Sequence, residues 1–282
     1  MEVRHTLGER YFALDAMRGI AALLVVLYHC AEILPALKIQ GHLAVDFFFA
    51  LSGFVIARAY QDRLAAGLPF QRFALARVIR LYPLFLAGTL IGASRHVMGA
   101  VLNLPEAIPM GTLLPILLLN AFMLPGPSPN EYIFPFDGPT WSLFFELIVN
   151  LAFGLFLFRW SAGRLWVLVA VSGVVLGALT IQAGHSNLGW SWPTIPGGFA
   201  RVFFSFTLGM LFSRILANTP KRVSWWGLVP MLLLIALMLV DVDPRNQAAF
   251  DLFSVLIGAP LLLLGGIALD VPAKLRRACG WL

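Results

Sequence analysis

Charge is scarce in this chain. Asp, Glu, Lys and Arg together make up 12% of its 282 residues, about half the roughly 25% of an ordinary soluble domain, which excludes a soluble enzyme and a charged, disordered tail alike. Cysteine is nearly absent: Cys30 and Cys279 stand alone, so no disulfide framework is implied. The scattered His42, His96 and His185 have no metal-ligand spacing, and no Cys or His cluster supports a metal site. A Gly-rich phosphate loop of the Walker or dinucleotide type is missing too, so a phosphate-bearing ligand has to be held by arginines and helix ends. The net charge of +6 and pI near 9.8 do not point to nucleic acid, because the basic residues cluster between apolar segments in the manner of cytoplasmic loops.

Apolar sequence is what the chain has in excess, with 60% hydrophobic residues, 23 Phe and a mean hydropathy of +0.85. The expected fold is all-α, a polytopic transmembrane helical bundle forming a single domain without internal repeats. Segments able to cross about 30 Å of hydrocarbon run over 19–37, 43–60, 81–101, 140–158, 165–183, 198–216, 225–240 and 250–269. The first is read as a retained span rather than a cleaved signal peptide. Basic residues fall in a leader (Arg4, Arg10, Arg18), in 58–80 (Arg58, Arg63, Arg72, Arg77, Arg80), and at Arg159, Arg164, Arg214, Lys221, Arg222, Lys274, Arg276 and Arg277. Glu106, Glu131 and Asp137, and then Asp241, Asp243 and Asp251, mark the opposite connections. The positive-inside rule is met throughout if the N-terminus is cytoplasmic and the short Thr112–Leu124 segment is re-entrant or lies at the surface. The loop 125–139, with Pro125, Pro127, Pro129, Pro135 and Pro139, is then extracytoplasmic. Tyr132, Trp141, Trp190 and Trp192 fall at that outer surface, as interfacial anchors or as platforms for a sugar.

An ionisable side chain at membrane depth is expensive and marks a candidate site. His29 is one, placed near the middle of the first span, about 16 Å along the helix from Arg18. Glu146 lies about six residues into its span and Ser52 about nine into the second, from the outer side, so a shared site in the outer half is plausible. Asp46 begins its span at the outer interface, where a hydrated carboxylate is cheap, and is a candidate to orient His29. Asp15 and Arg18, at i and i+3, suit an ion pair as well as a ligand site. Ser52-Gly53-Phe54 suits close helix packing as well as pocket lining. Arg77 and Arg80 project from one helix face; they suit topology or lipid anchoring as well as phosphate binding.

Four stretches together resemble one family, the membrane-bound acyltransferase 3 family of O-acyltransferases. They are Leu14-Asp15-Ala16-Met17-Arg18-Gly19-Ile20-Ala21-Ala22 with His29, an Arg-x10-His pattern; Val45-Asp46-Phe47-Phe48-Phe49-Ala50-Leu51-Ser52-Gly53-Phe54; Arg77-Val78-Ile79-Arg80-Leu81-Tyr82-Pro83, an Arg-x-x-Arg pattern; and Thr140-Trp141-Ser142-Leu143-Phe144-Phe145-Glu146. Members usually have ten transmembrane helices, so by resemblance the chain is expected to lack the last two.

The resemblance implies transfer of an acyl group, usually acetyl, from cytosolic acyl-coenzyme A to a hydroxyl of a glycan or glycosylated metabolite at the inner membrane. It implies His29 as catalytic base, with Glu146 and Asp46 beside it. Arg18, Arg77 and Arg80 would bind the coenzyme, and Ser52, Trp141 and Ser142 would line the acceptor's pocket. No permanently bound cofactor and no nucleic acid partner is expected; the partners are the bilayer, acyl-coenzyme A and the acceptor. A solute or lipid transporter with an ion-coupled His/Glu/Arg site is the alternative, and it would have no use for a thioester donor.

Overall fold

The computed structural model describes residues 10–30, 38–102, 104, 108–128, 131–216 and 219–279. Arg4, Glu106, Pro129, the end of the first apolar run at 31–37 and the last three residues lie outside them. The chain runs through α1 (Phe12–His29), α2 (Ala44–Ala65), α3 (Phe70–Val101), α4 (Met110–Ala121), α5 (Trp141–Leu155), α6 (Ala162–Ala183) and α7 (Ile195–Ile215). It continues through α8 (Val229–Met238), α9 (Gln247–Phe253), α10 (Ala259–Ala268) and a short α11 (Ala273–Cys279). A π-helical turn, Ser254–Gly258, joins α9 to α10 without a break. Among the described residues, strand is limited to a parallel pair, Arg222–Val223 (β1) with Leu269–Asp270 (β2).

Seven of these helices, with their flanking turns, are long and apolar enough to cross a membrane. The eighth expected crossing, Trp225–Met238, is shorter. It still runs from one face of the bundle to the other: β1 ties its start to β2 beside the beginning of α1, and the Met238 carbonyl at its end accepts the Gln40 N–H at 2.8 Å. The face where α1 begins is called here the near side, and the opposite one the far side. α3 ends and α5 begins on the far side, so α4, with twelve residues, returns without crossing, as its length implies. The bends in this region follow proline, Pro83 within α3 and Pro115 within α4. Local chemistry sets the ends of α6: Ser161 Oγ accepts the Arg164 N–H, and Gly184 closes the helix at φ 78°.

Two boundaries differ from the sequence expectation. α1 spans 12–29 rather than beginning at 19, because Asp15 and Arg18 satisfy each other at 3.0 Å inside the helix while Ala13, Leu14, Ala16 and Met17 are buried in the core. His29 is therefore the last residue of α1, not a mid-membrane group. α3 begins at Phe70 rather than 81, so Arg77 and Arg80 are carried within a helix instead of ahead of it.

The most buried span is α7, and α3 is the least. α2 and α7 approach closely enough that a Cβ on Gly53 would strike the Phe206 carbonyl, and one on Gly209 the Ala50 carbonyl. Small residues at a membrane-helix contact permit this approach. Gly53→Leu is expected to cost about 1–3 kcal/mol by overpacking. Thermal unfolding of the detergent-solubilised protein measures it, and an unchanged midpoint would mean the two helices separate freely.

Candidate active site

A cavity of 470 Å³ opens between α1, α2, α3 and α5. Its wall is mainly aliphatic and aromatic, and its polar groups come one to three per helix: Arg18 from α1, Ser52 from α2, Arg77 and Arg80 from α3, and Ser142, Glu146 and Asn150 from α5. Six of the residues singled out in the sequence thus meet here. The packing and pocket readings of Ser52-Gly53 both hold, since Gly53 makes the α7 contact while Ser52 faces the cavity and donates to Glu146 Oε1 at 2.8 Å.

Arg77 is almost fully buried. Its Nη2 donates to Tyr60 Oη at 3.0 Å, and its guanidinium lies 4.8 Å from the Tyr60 ring centroid and 5.9 Å from that of Phe73. Its Nε makes no hydrogen bond. Arg80 is exposed on the cavity wall. Arg18 is shared with Asp15, which also receives Arg10 at 2.8 Å, so the sequence's ion-pair reading and its cavity reading coexist. Arg80, Arg77 and Arg18 all lie within electrostatic reach of Glu146. Three guanidinium groups against one carboxylate leave this cavity cationic, in surroundings where water screens little.

His29, Asp46 and Trp141 are elsewhere. His29 is exposed at the far-side end of α1, outside the cavity lining and about 16 Å along the helix from Arg18. Its Nδ1 lies 2.8 Å from the Val25 carbonyl, and its ring meets Tyr28 edge-on at 5.1 Å. A carbonyl only accepts, so Nδ1 carries the proton and the neutral imidazole keeps its lone pair on Nε2. Asp137, from the proline-rich loop, is the carboxylate near His29: burial pushes its carboxyl above the usual range, and the nearby His29 ring, when protonated, opposes that. Its Oδ2 rests where a Cβ on Gly88 of α3 would stand.

Asp46 is not a hydrated interfacial group. It is fully buried and paired with Arg201 of α7, Oδ2 to Nη2 at 2.6 Å. Trp141 is buried rather than anchored at the surface, its ring 5.2 Å from the Arg201 guanidinium carbon. Trp192 and Tyr132 are exposed as expected, and the Tyr132 ring meets the partly buried Trp190 at 5.0 Å, tilted by 40°. The loop that carries Tyr132 is pinned by Ile133 N–H to the Trp190 carbonyl and Trp192 N–H to the Glu131 carbonyl. A second, 280 Å³ cavity lies on this far side, lined by Arg95, His96, Tyr132 and Gly138 among others.

Sequence reasoning missed Asn150, Arg201 and Asp137. Asn150 had a signal, since it follows Glu146 by four residues and so shares its helix face. Arg201 had one too, as the only charge inside an otherwise apolar stretch from 195 to 213. Asp137 had none beyond preceding the Thr-Trp-Ser motif.

Residues 11–278 match the model of a family described as an acyltransferase domain. The chain is 37% identical over 179 residues to a Rhizobium radiobacter protein named Protein 2 in picA locus, covering 60% of this chain and 93% of that one. It is 30% identical over 199 residues to Acyltransferase MdmB of Streptomyces mycarofaciens, covering 66% of this chain and 49% of that protein, so it spans about half the length of this second relative. No solved structure matches.

Proposed function

The chain belongs to this acyltransferase family, and from that premise we propose that it is a multi-pass membrane O-acyltransferase. The donor is acyl-coenzyme A, with acetyl as the acyl group, and the acceptor is a hydroxyl of a glycan or glycosylated metabolite. The observation that supports this reading is the meeting of Arg18, Arg77 and Arg80 in one cavity whose remaining wall is apolar. Guanidinium forks suit the phosphates of the coenzyme, and the apolar part suits its arm. The near side is cytoplasmic in this reading, because the helix ends there carry Arg63, Arg72, Arg159, Arg164 and Arg222, and the membrane is the inner one. Oligomeric state plays no part in the scheme.

The arm carries the thioester from the arginines toward the far side, where His29 stands. Neutral His29 takes the acceptor's proton on Nε2, the freed oxygen attacks the thioester carbonyl, the C–S bond breaks, and the imidazolium returns the proton to the departing sulfur. Val25 holds the tautomer that this requires. The acceptor approaches from the far side, where the second cavity adjoins Asp137 through Gly138. Glu146, held by Ser52, keeps the arginines turned toward the donor, and Ser142 lines the upper wall. Asp46 and Trp141 act one step removed, through Arg201.

Acetyl-coenzyme A is expected to raise the unfolding midpoint of the purified protein saturably, by an amount equivalent to about 2.7 kcal/mol at a hundredfold excess over Kd. The double variant Arg77→Ala, Arg80→Ala is expected to lose that shift. A full shift in the variant would remove the arginines from donor binding; no shift in the wild type would favour a transporter.

A further inference from the structure

A buried amide on the wall of the arginine cavity has an oxygen without a partner among the described residues. Asn150 is 1% exposed, lines the cavity, and its Oδ1 makes no hydrogen bond among the described residues. Buried polar atoms are almost always satisfied, so an orphan on a cavity wall marks a place where a ligand supplies the missing partner. The other two polar residues on the same face of α5 are engaged: Ser142 Oγ donates to the Pro139 carbonyl at 3.1 Å, and Glu146 receives Ser52.

Depth separates the roles of these residues. Ser142, Glu146 and Asn150 are spaced four apart, about 6 Å per step along the axis, with Asn150 nearest the near side. It lies about 7.5 Å from the near-side end of α5, and Arg77 about 10 Å from the near-side start of α3. The two are therefore at similar depth on adjoining walls, with Gly154 of α5 against Phe73 of α3 about one turn nearer the near side, and Arg77 Nε is the second buried polar atom on the lining without a hydrogen bond among the described residues. Beyond them, toward the far side, the walls contributed by Val55, Leu81 and Leu84 are apolar. A ligand that fits this lining presents an amide N–H at the level of Arg77 and anionic groups to the two arginines, with apolar carbon beside them.

We propose that Asn150 Oδ1 accepts an amide N–H of the pantetheine arm, making Asn150 the residue that distinguishes a pantetheine thioester from the nucleotide alone. The proposal rests on the acyl-coenzyme A reading above. Asn150 reads the arm where it passes Arg77 and Arg80 on its way toward His29.

The test is the affinity of the full chain in nanodiscs for two probes, acetyl-coenzyme A and adenosine 3′-phosphate 5′-diphosphate, which keeps the phosphates and lacks the arm. Asn150→Leu is expected to weaken acetyl-coenzyme A about three- to tenfold while leaving the nucleotide within twofold. Its ligand-free midpoint should be unchanged or higher, since leucine removes an unpaired polar atom. Equal weakening of both probes, or of neither, overturns the proposal while leaving the donor reading intact. A wild type that binds neither probe overturns both. Where leucine does not fold, Asn150→Ser, whose hydroxyl is too short to reach, provides the same comparison.

Discussion

Alanine at His29 is expected to lower acyl transfer by about 10²–10⁴-fold, the usual contribution of a positioned general base. The loss should fall on kcat. His29 does not line the cavity that holds Arg18, Arg77 and Arg80, so the rise in unfolding midpoint with acetyl-coenzyme A should survive in the variant. Folding should survive as well, because the ring is exposed at the helix end and its one described hydrogen bond is to its own helix at Val25. His29→Gln sharpens the test: the glutamine amide can still donate to a carbonyl but cannot accept the acceptor's proton at neutral pH. Transfer within about tenfold of wild type in either variant would remove the residue from the chemistry. Loss of the donor-dependent shift would instead make it a binding or folding residue.

The helical spans were legible because seven of the apolar runs are long enough to cross a membrane. Apart from Asn150, the polar cavity residues of α2, α3 and α5 were legible too, since a polar residue set in an apolar helix announces a face. The first helix was misplaced for a local reason: Asp15 and Arg18 look like a polar leader, yet they neutralise each other within one turn and so can enter the bundle. That shift of seven residues moved His29 from mid-membrane to the helix end. Asp46 and Trp141 were misread for a different reason. Their partner Arg201 is 155 residues from Asp46 in sequence, and helical periodicity carries no information about which distant span supplies a counter-ion.

Breaking the Asp46–Arg201 pair is expected to give the largest loss of stability, about 3–5 kcal/mol for Asp46→Asn or Arg201→Met alone. Both side chains are fully buried, and the guanidinium is spent on fixed acceptors: Nε reaches Asp46 Oδ1 at 3.1 Å, Nη1 the Leu188 carbonyl at 3.0 Å, and Nη2 both Asp46 Oδ2 at 2.6 Å and the His42 carbonyl at 2.7 Å. One arginine thereby joins the far-side start of α2, the turn before it, the 188–191 loop and, through Trp141, the first residue of α5. Removing either partner leaves a buried charge without its counter-ion. Removing both, as in Asp46→Leu with Arg201→Met, leaves no stranded charge, and the double variant should be more stable than the sum of the single losses implies. Arg201→Lys should resemble a broken pair, since one ammonium cannot reproduce the planar fork. A double-mutant cycle on thermal or denaturant unfolding in detergent reads the coupling directly. Single variants that unfold within about 1 kcal/mol of wild type would contradict the buried pair. Strict additivity would show that the two residues act independently. A strong coupling would support a positioning role for Asp46, which with Arg201 and Trp141 holds the start of the helix that carries Ser142, Glu146 and Asn150.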